Sequence, residues 1–177
     1  MKTSLVCAAA LLATTAVFAA QASPPATESK AFGGKTITIT YNSPRVNGRV
    51  DKLFGKDGRI GQDPTYPVWR AGANAATKFH TDAALDVGGL AVPAGDYTLY
   101  VDLTDPANWK LIINKQTGQW GLTYTLAQDL GRVPMTMAKP PALVEELKYT
   151  LTDAGGNKGT LTLAWENVVA SVPFTVK

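Results

Sequence analysis

Hydrophobic and polar positions alternate with period two along most of the chain. Thr36-Ile37-Thr38-Ile39-Thr40-Tyr41 sets β-branched polar residues against apolar ones, the mark of a strand with one buried face, and places Ile37, Ile39 and Tyr41 in the core. The alternation returns at Thr77, Phe79 and Thr81, at Tyr97 to Leu103, from Trp109 to Asn114, and at Leu122, Tyr124 and Leu126. It continues at Val133, Met135 and Met137, from Leu147 to Leu151, from Leu161 to Trp165 and from Val168 to Val176. Turn chemistry separates these runs. Gly88-Gly89 closes a hairpin between Leu85 and Val92, and Pro93-Ala94-Gly95 suits a type I turn. Asp105-Pro106, the Gly-rich Asp153 to Lys158 and Glu166-Asn167 supply further breaks. Pro134 makes its run an edge or partial strand. Eight or nine strands with one apolar face each predict an all-β fold of two antiparallel sheets packed as a sandwich, with a closed barrel as the alternative.

Three stretches lack this pattern. Lys2, an apolar run from Leu5 to Ala20 and the A-x-A signature Ala20-Gln21-Ala22 predict a signal peptide over residues 1-22, cleaved after Ala22. The chain is then expected in the periplasm or secreted. Ser23 to Lys30, with two prolines and no apolar period, reads as a disordered spacer running up to residue 34, ahead of a single domain over 35-177. From Asn42 to Thr65 lies an irregular segment with five bases (Arg45, Arg49, Lys52, Lys56, Arg59) and three acids. Segments this long are disordered or functional; here the readings are a solvated surface loop or a basic lid over a site.

Composition narrows the picture. Removing 22 of the 177 residues leaves 155, enough for one core. The sole cysteine, Cys7, lies inside the predicted signal, so the mature chain carries no disulfide and no thiol metal ligand. Loss of Lys2 lowers the formal charge from +3 to +2, with both signs interspersed, which gives no nucleic-acid footprint. No later run is apolar enough for a membrane span. Oligomeric state is not encoded in any of these features.

The irregular segment ends at Tyr66-Pro-Val-Trp-Arg-Ala-Gly-Ala-Asn-Ala-Ala-Thr77, which crowds an indole, a guanidinium and a carboxamide between small residues. Neighbouring strand positions face opposite ways, so Trp69 packs into the core when Arg70 faces a cleft. In one reading Trp69 anchors a sheet end, Arg70 pairs with a carboxylate or with loop carbonyls, and Asn74 supports a turn after Gly72. In the other, Arg70 and Asn74 donate to a polar ligand, Gly72 and Ala73 admit it and Arg45 closes over it. Arginine's planar donors suit carboxylate or phosphate. Trp165 and Trp109 share parity with apolar neighbours and belong to the core. Trp120, between Gly118 and Gly121, serves surface recognition or loop packing.

Taken together, Ser43-Pro-Arg-Val46, the run from Tyr66 to Thr77, Pro93-Ala-Gly-Asp-Tyr-Thr-Leu99, Trp109 with Asn114-Lys115, and Leu161-Thr-Leu-Ala-Trp-Glu-Asn167 resemble the domain of unknown function 2911 family of exported bacterial proteins. The resemblance covers Ser43 to the C-terminus and is most specific at Trp-Arg-x-Gly-Ala-Asn. It implies an exported β-rich domain and brings no catalytic residues with it.

Catalytic signatures are missing from the sequence: there is no His-x-x-x-His, no G-x-S-x-G and no phosphate-cradling loop, and the single histidine, His80, falls on a polar strand face. Zinc and other cofactors are not indicated. Paired carboxylates could still hydrolyse a glycosidic bond; Asp102, Asp105, Glu145, Glu146 and Glu166 are the candidates, each expected as a surface acid. Asp102, Asp105 and Asn108 could offer oxygen ligands to calcium, although Asp-Pro more simply marks a turn. The leading expectation is therefore an exported binding module that recognises a glycan or other polar ligand, an anionic small molecule included, through the Trp69 to Asn74 segment, with Arg45, Arg70, Asn74 and Trp120 as its ligand-binding residues. A carboxylate-dependent hydrolase and a structural protein of the cell envelope are the alternatives.

Overall fold

The computed structural model describes residues 23–177; the predicted signal peptide, with Cys7, lies outside them. Thirteen strands follow in order: β1 (Pro25–Phe32), β2 (Lys35–Asn42), β3 (Val68–Trp69), β4 (Thr77–Thr81), β5 (Leu85–Val87), β6 (Leu90–Val92) and β7 (Gly95–Asp102). Then come β8 (Lys110–Asn114), β9 (Asp129–Pro134), β10 (Thr136–Ala138), β11 (Val144–Gly155), β12 (Lys158–Glu166) and β13 (Val168–Val176). One sheet runs β1-β2-β4-β7-β8-β9, with β3 continuing beside β7; the other runs β11-β12-β13-β5-β6, with β10 beside β13. Every pairing is antiparallel. The sheets form a sandwich, not a closed barrel. Among the described residues, no helix is long and apolar enough to cross a membrane.

Strand parity carries through to packing. Ile37 and Ile39 of β2, Leu99 and Val101 of β7, Leu111 and Ile113 of β8 and Leu161 and Leu163 of β12 are all buried in one core between the sheets. The expected hairpin at Gly88-Gly89 forms in register, Leu85 opposite Val92 and Val87 opposite Leu90. Pro134 terminates β9, the edge strand of the first sheet, as its missing N–H dictates. The next residues, β10, cross to the other sheet, so one alternating run serves two sheets.

Two expectations are corrected. The stretch read as a disordered spacer is β1, paired residue for residue with β2 through a turn at Gly33-Gly34, where both residues take positive φ (57° and 80°). Its inward positions are Ala26, Glu28, Lys30 and Phe32, so no apolar period announces it. The charges suit an edge strand, and the Glu28 carboxylate accepts the Leu151 N–H of β11 at 2.9 Å, tying the two sheets' edges together. Likewise Leu122 to Leu126 is not a strand. The segment 115–128 lies over the outer face of the first sheet, burying Val68, Tyr100 and Ile112 beneath Tyr124. Tyr100 donates to the Thr123 carbonyl at 2.7 Å and meets the Tyr124 ring edge-on at 5.1 Å. Leu126, read as inward, is 65% exposed.

If β1 belongs to the fold, Phe32 is a core residue: it packs edge-on against Phe174 with ring centroids 5.0 Å apart. Phe32→Ala should therefore lower unfolding free energy by about 3–5 kcal/mol in denaturant titration, whereas a spacer residue would cost nothing.

Candidate functional site

The turn from Arg70 to Thr77 is built by backbone contacts. Ala71 and Asn74 both adopt positive φ (48° and 58°), and the Thr77 hydroxyl donates at 3.1 Å, shared between the Arg70 and Ala71 carbonyls. Ala73 N–H donates to the Asn42 carbonyl at 3.2 Å and Gly121 N–H to the Asn74 carbonyl at 3.0 Å. Tyr149 donates to the Ala71 carbonyl at 2.9 Å from the opposite sheet. A Cβ on Gly72 would meet Thr77 Oγ1 at 2.7 Å, so the small residue is required by the turn itself.

Trp69, at the start of this turn, is 2% exposed and stacks on Trp165 (5.8 Å, 15°). Phe54, from the irregular segment, meets Trp69 and Trp165 edge-on at 5.6 and 5.7 Å and tilts against Trp109 at 4.9 Å. With Val46, Leu53 and Ile60 buried beside it, the segment from Asn42 to Thr65 is an ordered cover plugged into the sandwich. Its start is fixed as well: Ser43 donates to the Leu147 carbonyl at 2.7 Å, and Val46 N–H to the Glu145 carbonyl at 2.8 Å.

Between this cover and the Arg70 turn lies a cleft of about 470 Å³. Four guanidiniums line it, those of Arg45, Arg49, Arg59 and Arg70, against one carboxylate, Asp63. Asp63 serves both Arg59 (3.2 Å) and Arg70 (3.5 Å). The Arg70 side chain is only 13% exposed. Burial pulls its pKa below the ordinary value, Asp63 opposes that shift and Arg59 adds to it. Its Nε is buried without an acceptor, as is the indole N–H of Trp165 in the same lining. Arg49 donates to the backbone carbonyls of Val46 (2.9 Å) and Arg45 (2.8 Å) and has no carboxylate in that arrangement. Arg45 is half-exposed at the rim, paired with Glu146.

The structure therefore brings together three of the four predicted ligand-binding residues, Arg45, Arg70 and Asn74, in one cleft. Trp120 is not among them. It is 55% exposed, and its backbone bridges Ala75 behind the turn. Arg49, Arg59 and Asp63 were not singled out as site residues. The basic content of the irregular segment was the one signal that pointed to them, because no periodicity orients side chains there.

The candidate carboxylates are engaged elsewhere. Asp102 is buried, not a surface acid: Arg132 donates to it at 2.6 Å and Thr104 at 2.6 and 3.0 Å. Burial alone would raise its pKa, but these hydrogen bonds outweigh it and hold the carboxyl below its ordinary range. Glu166 is also buried, with burial raising its pKa, and it accepts the Asp51 N–H at 2.7 Å. Asp105 caps its own turn through Ala107 and Asn108, so the oxygen ligands considered for calcium are turned to protein donors. Glu145 accepts the Asn47 N–H at 2.9 Å and Glu146 pairs with Arg45; both fasten the cover. His80 sits exposed between Asp96 (2.8 Å) and Asp82 (3.0 Å).

The family of proteins described as "Protein of unknown function (DUF2911)" matches residues 23–174, and the chain belongs to it. No curated protein and no solved structure matches the chain.

A structural role for Asp102 has a pH signature. Its folded-state pKa lies below the ordinary 3.8, so its contribution is present above that value and lost as pH falls through the folded one. Asp102→Asn should destabilise the protein by about 1–3 kcal/mol at neutral pH. In urea titrations the gap should close as pH is lowered below about 4.

Proposed function

We propose that this member of the family is an exported binding module for a small anionic ligand, one bearing carboxylate or phosphate groups, held in the arginine cleft. The observation that carries this reading is the imbalance of four guanidiniums to one carboxylate around a cavity of about 470 Å³, a volume in the range of small-molecule sites. Clefts lined by one sign of charge concentrate ligands of the other. Arg70 and Arg59, drawn toward each other by a shared Asp63, present forked donors suited to two oxygens at once. Asn74 adds an amide, and Arg45 at the rim can leave Glu146 for the ligand.

A neutral glycan is less well served. Sugar recognition uses exposed aromatic faces, and the two indoles of this cleft, Trp69 and Trp165, are buried and stacked on each other. The hydrolase alternative lacks support from the site because the single acid of the cleft is held by two arginines. A second hollow of about 570 Å³, bordered by Asp51, Lys139 and Glu166, has the opposite charge balance.

Thermal-shift and calorimetric titration with sulfate, citrate and a neutral sugar test the proposal. Sulfate and citrate should raise the melting temperature in a salt-sensitive manner, the sugar should not, and Arg59→Ala with Arg70→Ala should abolish the shift. Asp63→Asn separates the two roles of the acid: it should lower stability by about 1–3 kcal/mol while tightening anion binding. Equal stabilisation of wild type and the double arginine variant by anions would refute the site.

A further inference from the structure

Ser23, the first described residue, lines the arginine cleft. Its position is fixed by the residues that carry Arg45 to the same place: Asn42 Nδ2 donates to the Ser23 carbonyl at 3.1 Å and Ser43 N–H to the Pro24 carbonyl at 2.8 Å. Immediately upstream stands the Ala20-Gln21-Ala22 cleavage signature, and the family match also begins at Ser23. A sequence signal for processing and a structural cavity thus meet at one peptide bond.

We infer that processing completes the binding site: hydrolysis of the Ala22–Ser23 bond by a leader peptidase consumes one water, releases the leader with the Ala22 carboxylate and leaves the Ser23 α-amine at the cleft as a further ligand group. The inference rests on the anion-binding reading above. Before cleavage the nitrogen is an uncharged amide of the Ala22–Ser23 peptide bond. After cleavage the site gains an ammonium with three donors.

The amine also gives the site a titration that arginine cannot. The charged side chains of the cleft are Arg45 and Arg49 from the cover, with Glu146 of β11 paired to Arg45, then Arg59 and Asp63 from the end of the cover, and Arg70 from the turn. Among the described residues the lining holds no histidine, lysine, tyrosine or cysteine. An α-amine ordinarily titrates at about 7.7–8.0. Anion affinity should then fall as pH rises through this window.

The test uses the full chain exported by a bacterial host and recovered after processing, with its start read by intact mass. Sulfate binding is measured from about pH 6.5 to 9, where the charge of sulfate is constant, before and after selective acetylation of the α-amine, with melting curves to confirm that the fold is retained. The expected result is a chain starting at Ser23 whose sulfate affinity falls about twofold to fivefold both on raising pH and on acetylation, with the acetylated protein insensitive to pH. A different starting residue overturns the inference, as does equal, pH-independent affinity in both forms; either leaves the arginine cleft standing. No sulfate binding in either form overturns the cleft reading and this inference with it.

Discussion

The contact on which the rest depends is the aromatic cluster of Trp69, Trp165, Trp109 and Phe54. Trp69 comes from β3 and Trp109 from the position just before β8 of the same sheet, Trp165 from β12 of the other, and Phe54 from the irregular segment between β2 and β3. Each large aromatic side chain buries on the order of 150–250 Å², so the cluster contributes more than any hydrogen bond along the cover. It joins the two sheets at one end of the sandwich and holds down the segment that would otherwise be a solvated loop of more than twenty residues. With the cover pinned at Phe54, Leu53 and Ile60, its arginines are placed on the core's rim.

That placement determines the electrostatics. Trp69 turns inward as the residue before Arg70 turns toward the cleft, and the Arg70 turn is then clamped by Thr77, Tyr149 and the Asn42 carbonyl. Arg59 and Asp63 arrive from the other side, around the 3-10 turn at Ile60–Gln62. The cleft is thus a product of the same packing that closes the sandwich, and its walls are held by contacts within the fold. Preorganisation of this kind reduces the ordering cost of binding.

How far the chain could be read in advance follows from where periodicity operates. Strands with Ile, Leu and Val on one face were legible, as was the inward parity of Trp69, Trp109 and Trp165, because a period of two assigns a side to each residue. β1 was not legible, since Ala26, Glu28 and Lys30 occupy its inward positions and an edge strand can keep charges there. The layer over the outer face was missed for the converse reason: Leu122, Tyr124 and Leu126 do alternate, but only Tyr124 packs on the sheet. Asp102 shares the outward parity of Tyr100; its burial comes from Arg132 and the covering segment, which no local pattern reveals. Arg45, Arg70 and Asn74 stand out in the sequence by their chemistry and share one cleft, whereas Arg49, Arg59 and Asp63 join them where tertiary packing alone sets direction.

The remaining question is why a stable fold keeps such a cleft. Burying a guanidinium costs free energy unless charge and hydrogen bonds repay it, and for Arg70 the return is partial. Its one carboxylate is shared with Arg59, its contact to the Asn74 carbonyl is a long 3.4 Å, and its Nε has no acceptor. Asp102 shows what a purely structural ion pair looks like in this same chain: short contacts to Arg132 and Thr104, no orphaned donor, and a carboxyl held below its usual range. The same fold thus compensates its two buried charges to different degrees. Local conflicts of this kind concentrate at functional sites, which is the physical ground on which the proposed anion-binding role rests.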